Sequence, residues 1–107
     1  MTRGDIVLVS NPQQKTEGHE QHGNRPAVIV SNNLCNRYSP VIEIVYLTTT
    51  HKAKLPTHVT LEHRKSVVLC EAVYSIDKSR IIKIFEHCTL SDMEQINNAL
   101  KISLGLE

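Results

Sequence analysis

Gly18-His19-Glu20-Gln21-His22-Gly23-Asn24-Arg25-Pro26 runs without a break into Ala27-Val28-Ile29-Val30. The first part is polar, bracketed by glycines and stopped by a proline, so it reads as a loop. The second is β-branched and apolar, so it reads as a strand starting at the loop's end. Such a junction gathers two imidazoles, a carboxylate, a carboxamide and a guanidinium at one edge of a sheet. Polar glycine-containing loops are commonly no more than solvated connections.

Outward from this junction the same signals recur. Ile6 to Val9, Val41 to Leu47 and Ser66 to Val73 are rich in Val and Ile and bounded by Asn, Pro, Gly or Ser; each predicts a strand. His58-Val59-Thr60-Leu61 alternates polar and apolar, as a half-exposed strand does, and Ile81 to Phe85 adds a last one. Several short strands with turns between them predict a small closed or nearly closed barrel. Asn32 to Tyr38 is polar enough for a loop or a short helix. The one long helix is expected to begin at Ser91, because Ser91-Asp92-Met93-Glu94 has capping-box spacing with Leu90 at the staple position. Met93, Ile96, Leu100 and Leu104 then recur at helical spacing, and Gly105 offers a stop. That face suits core or dimer packing.

A chain of 107 residues fits one domain with a core of moderate size. Its net charge of +1 excludes the strongly basic surface of a nonspecific nucleic-acid binder, so any grip on nucleic acid must be local. Lys52, Lys54, Arg64 and Lys65 face only Glu62 between positions 51 and 65, which predicts a positive patch there. Cys35, Cys70 and Cys88 are odd in number and show no CxxC spacing, which argues against disulfides and thiolate metal sites and for a reducing cytoplasm. Cys70, among Val67, Val68 and Leu69, reads as a small buried apolar residue. No leader or membrane-spanning run is expected. His19-Glu20-Gln21-His22 looks like a shortened zinc motif, but its histidines are three apart rather than four and flanked by glycines, so no metal or other cofactor is expected.

In order along the chain stand Arg3-Gly4-Asp5, Arg25 to Asn33 (RPAVIVSNN), Leu47-Thr48-Thr49, Lys52 to Val59 (KAKLPTHV), Ser66 to Glu71 (SVVLCE) and Ser75-Ile76-Asp77-Lys78. In that order and at near-matching intervals, these blocks resemble the MazF/PemK family of toxins over almost the whole chain. The resemblance implies an SH3-like small β-barrel with a C-terminal α-helix, one toxin domain spanning residues 1–107, and a homodimer. It implies a sequence-specific, metal-independent endoribonuclease acting on single-stranded RNA. It also implies a cognate MazE/PemI-like antitoxin, with which the toxin binds DNA as a complex. The same barrel is used by CcdB-like toxins, so a non-nuclease toxin, or a weakened nucleic-acid-binding relative, is the competing reading.

Metal-free RNA cleavage needs the ribose 2′-OH deprotonated, the phosphorane stabilised and the 5′-oxygen protonated. Arg25 is the first candidate for the phosphate, since its planar fork makes two charge-assisted hydrogen bonds and stays cationic; the alternative is a structural salt bridge. Thr48, at the end of a strand, could aim its hydroxyl at a phosphate oxygen or the ribose, although Thr49 and Thr50 follow directly. The resemblance places this arginine and threonine pair at Arg25 and Thr48. It also assigns His19 to acid–base chemistry and sets Glu71 where PemK-like members have an aspartate; Glu20, next to His19, could orient it or serve as base. Gln21, Lys52, Lys54 and His58 are candidates for holding RNA. At Tyr74, relatives commonly have arginine; here a ring either stacks on a base or simply packs.

Overall fold

The computed structural model describes residues 1–11, 23–49 and 54–106. Among these residues seven strands and two α-helices follow one another as β1 (Asp5–Val9), β2 (Arg25–Ile29), α1 (Asn33–Tyr38), β3 (Val41–Thr48), β4 (His58–Thr60), β5 (Val67–Leu69), β6 (Tyr74–Asp77), β7 (Ile81–His87) and α2 (Leu90–Leu104). All seven strands belong to one sheet of order β4-β5-β3-β2-β1-β7, with β6 also paired to β3. Every strand pairing is antiparallel.

Side chains alternate across this sheet, so each face buries its own cluster. Ile6, Val28, Val45, Leu47 and Val68 point to one face, where Ile96 and Ala99 of α2 complete the packing. Val7, Ala27, Ile29, Ile44 and Tyr46 point to the other. Among the described residues no ladder joins β4 to β7. The two ends of the sheet instead curl toward each other, and Arg64 in the β4–β5 turn meets Glu86 of β7 at 2.9 Å. The expected mainly-β fold with a C-terminal helix is therefore present, its barrel a curled sheet tied by side chains at the seam. Cys70 is fully buried, as its apolar neighbours predicted.

Three local expectations are corrected. Helix α2 is capped two residues earlier than expected: Thr89, not Ser91, is the N-cap, and Asp92, not Glu94, closes the capping box. The reason is tertiary. The Asp92 carboxylate, almost fully buried, also accepts from the Glu62 backbone N–H at 3.0 Å, a contact Glu94 does not make. Leu90 is thus left exposed instead of serving as a staple. At the other end Gly105 adopts φ 73°, the left-handed cap that glycine favours. Secondly, the apolar run Ser66 to Val73 is a strand only over Val67–Leu69, because the chain turns at Cys70 and Glu71 and then starts β6 at Tyr74. Leu104, thirdly, lies more than half exposed at the helix end and so takes no part in the core, the first of the two uses expected of that face.

Candidate active site

Arg25 is the first residue of β2, and Thr48 is the last residue of β3. The two strands are antiparallel with Ala27 opposite Tyr46. Continued two places, that register brings Arg25 opposite Thr48, so both side chains emerge on the same face at the same end of the sheet. They line one hollow of ≈ 270 Å³ together with Pro26, Leu47, Thr49 and Ser66. The guanidinium donates from Nη2 to the Leu47 carbonyl at 3.3 Å. Its Cζ lies 4.4 Å from the centre of the Tyr46 ring, within the range of a cation–π contact. No carboxylate pairs with Arg25 among the described residues. A permanent cation over an aromatic face, opening on a polar hollow, is suited to an anion.

A second cluster is built where β4 starts. His58 Nε2 and Glu71 Oε2 are 3.2 Å apart, and the Thr57 hydroxyl donates to Glu71 Oε1 at 3.1 Å. The Leu55 backbone N–H donates to His58 Nδ1 at 3.3 Å, which leaves Nε2 to carry the proton toward Glu71 in the neutral ring. Burial pushes the Glu71 carboxyl up, but hydrogen bonds from its own backbone N–H, His58 and Thr57 outweigh it and hold the group below the ordinary glutamate value. Glu71 is therefore ionised at neutral pH. It sits in the exposed turn after β5, not within an apolar strand as expected.

The structure thus brings Arg25 and Thr48 together, and separately His58 with Glu71, which does not line the Arg25 hollow. Tyr74 joins the first group indirectly: its ring stands 5.2 Å from that of Tyr46 at 60°, edge toward face. Lys54 is exposed just before β4. His19, Glu20, Gln21 and Lys52 lie outside the described residues. Of the expected positive patch, Arg64 is engaged with Glu86, and His63 lies 3.7 Å from Glu62. Among the described residues no group of His, Cys, Asp and Glu could hold a metal ion, and no helix is long and apolar enough to cross a membrane.

Residues 2–104 match the sequence model for the PemK-like, MazF-like toxin of type II toxin-antitoxin systems. The chain belongs to this toxin family. An Endoribonuclease MazF of Staphylococcus saprophyticus is 39% identical over 113 residues, covering 99% of this chain and 92% of that protein. Among solved structures, an endoribonuclease from a mycobacterial species, in complex with its cognate antitoxin, superposes with TM-score 0.85 at 27% identity, covering 100% of this chain and 97% of its own. A MazE-MazF structure from Deinococcus radiodurans gives TM-score 0.83 at 26% identity, with coverage of 100% and 97%. Against this family background, the residue that sequence reasoning missed is Tyr46. Inside Val41–Thr48 it reads as one more β-former, and only the strand register places it under Arg25.

Proposed function

We propose that this chain is the endoribonuclease of its toxin-antitoxin pair, cutting single-stranded RNA, messenger RNA in the cell, at a short sequence and without a metal ion. It would thereby stop translation and growth in the cytoplasm until a cognate antitoxin neutralises it. The single observation that carries this reading is the Arg25 and Thr48 pair facing one polar hollow, the cation having no carboxylate partner among the described residues. The kinship with MazF endoribonucleases supports the substrate class.

In the proposed reaction the 2′-OH of the nucleotide before the cut loses its proton and its oxygen attacks the adjacent phosphorus. The bond to the 5′-oxygen breaks and that oxygen takes up a proton, leaving a 2′,3′-cyclic phosphate and a 5′-OH. Little covalent work falls to the protein, so positioning and charge stabilisation dominate. Arg25 neutralises charge growing on the non-bridging oxygens, and Thr48 hydrogen-bonds the phosphate or the attacking ribose. Proton transfer falls to His19, Glu20 and Glu71. Glu71 also orients His58, which with Gln21, Lys52, Lys54 and Tyr74 holds the strand.

The whole chain works as one domain in a homodimer. Support for self-association comes from β7, the end of the sheet path, which leaves Ile82, Ile84 and Phe85 40–50% exposed. The antitoxin would compete for the RNA groove with an acidic and apolar segment that folds as it binds.

The test is to incubate purified protein with mixed RNA in chelator and map the new ends. Cuts at a recurring short sequence, with 5′-OH and cyclic phosphate ends, are expected. Dependence on Mg²⁺, or 5′-phosphate products, would contradict the reading.

A further inference from the structure

Tyr46 is a buried tyrosine, 9% exposed, held both at its hydroxyl and at its ring. Its hydroxyl donates to Asn11 Oδ1 at 3.2 Å. Asn11 is itself gripped by Arg80, whose Nε donates to the Ser10 carbonyl at 2.8 Å and whose Nη2 reaches Asn11 Oδ1. Tyr74 adds its tilted ring, the two ring centres 5.2 Å apart. On the face left over sits the Arg25 guanidinium, 4.4 Å from the ring centre. Cross-strand geometry allows this contact, because Arg25 opposite Thr48 is diagonal to Tyr46, and long side chains reach diagonal neighbours.

We infer that Tyr46 is a positioning residue for the cleavage reaction: its braced ring and the Leu47 carbonyl fix the direction in which Arg25 presents its remaining N–H donors to the scissile phosphate. The inference rests on the nuclease reading above. An arginine side chain has a long flexible stem, and a phosphoryl-transfer site gains from a cation already aimed at the transition state. The ring supplies a flat, apolar support that attracts the cation without neutralising it, as a carboxylate would. This also gives Tyr74 a duty at the position where the family resemblance leads one to expect arginine. A second cation there would face Arg25 across Tyr46, whereas a neutral ring braces Tyr46 from its far side.

The experiment compares wild type, Tyr46→Leu and Tyr46→Phe in cleavage of one defined RNA, each also in an Arg25→Ala background. Tyr46→Leu is expected to lower kcat about ten-fold with little change in KM, the size of a lost cation–π support in a desolvated site. Tyr46→Phe, which keeps the ring, restores most of that rate. In the Arg25→Ala background Tyr46→Leu adds less than about two-fold, because the two residues act as one unit. Full activity of Tyr46→Leu, or the same ten-fold loss without Arg25, overturns the inference. Should Tyr46→Leu not fold, the Arg25 side-chain proton resonances of wild type decide: ring-current displacement upfield supports the contact, and unshifted positions refute it. Wild-type protein that cuts no RNA would remove the nuclease reading itself, a result distinct from active wild type with an indifferent Tyr46.

Discussion

Arg25 owes its place to two neighbours in sequence and one in space. Pro26 ends the loop and Ala27 starts the buried part of the strand, so Arg25 must stand at the sheet's edge, and this much was legible from residue types alone. Thr48 was legible only through family resemblance, since three threonines in a row after a strand look like turn chemistry. The fold separates them: Thr48 is half-buried as the last residue of β3, and Thr49 beyond it is exposed. Tyr46 was not legible at all, because what it touches depends on register, which a single strand does not carry. Glu71 was recognised as a carboxylate out of keeping with an apolar run. The run in fact ends before it, and its partners His58 and Thr57 come from β4 and the residue preceding it.

At the scale of elements, six of the seven strands follow from β-branched runs and their punctuation. The seventh, β6, was hidden in Tyr74-Ser75-Ile76-Asp77, too polar and too short to declare itself; it forms because β3 offers a free edge, Ile42 facing Ile76 and Glu43 facing Ser75. Ser75 Oγ donates to the Glu43 carboxylate at 2.8 Å, which pins that register. Helix α2 shows the opposite error, a valid local cap displaced by a better tertiary one. Ser91 and Glu94 have the right spacing, but Asp92 can cap the helix and receive Glu62 N–H from the segment after β4 at the same time. Asp92→Ala is therefore expected to destabilise the protein by roughly 2 kcal/mol, a lost cap plus a buried donor left unpaired. Glu94→Ala should cost less than about 0.5 kcal/mol, as at an ordinary surface position. Chemical denaturation of the two variants checks this, and equal losses would restore the Ser91 frame.

For the whole molecule, the curled sheet sets the polar hollow at one end of β2 and β3 while leaving an apolar edge at β7. The exposed Ile82, Ile84 and Phe85 predict that sedimentation at micromolar concentration finds a dimer, and that Ile84→Lys shifts it toward monomer. A stable wild-type monomer would contradict the assembly. In the proposed reaction Arg25 acts as the phosphate's counter-charge without being part of what holds the fold. The most direct measurement is the cleavage rate of Arg25→Ala at saturating RNA, taken beside its thermal unfolding, with Thr48→Ala as the companion. A loss of at least ~100-fold in each, with unfolding nearly unmoved, is the predicted result, the size of one lost transition-state contact. Normal cleavage by both folded variants would contradict it.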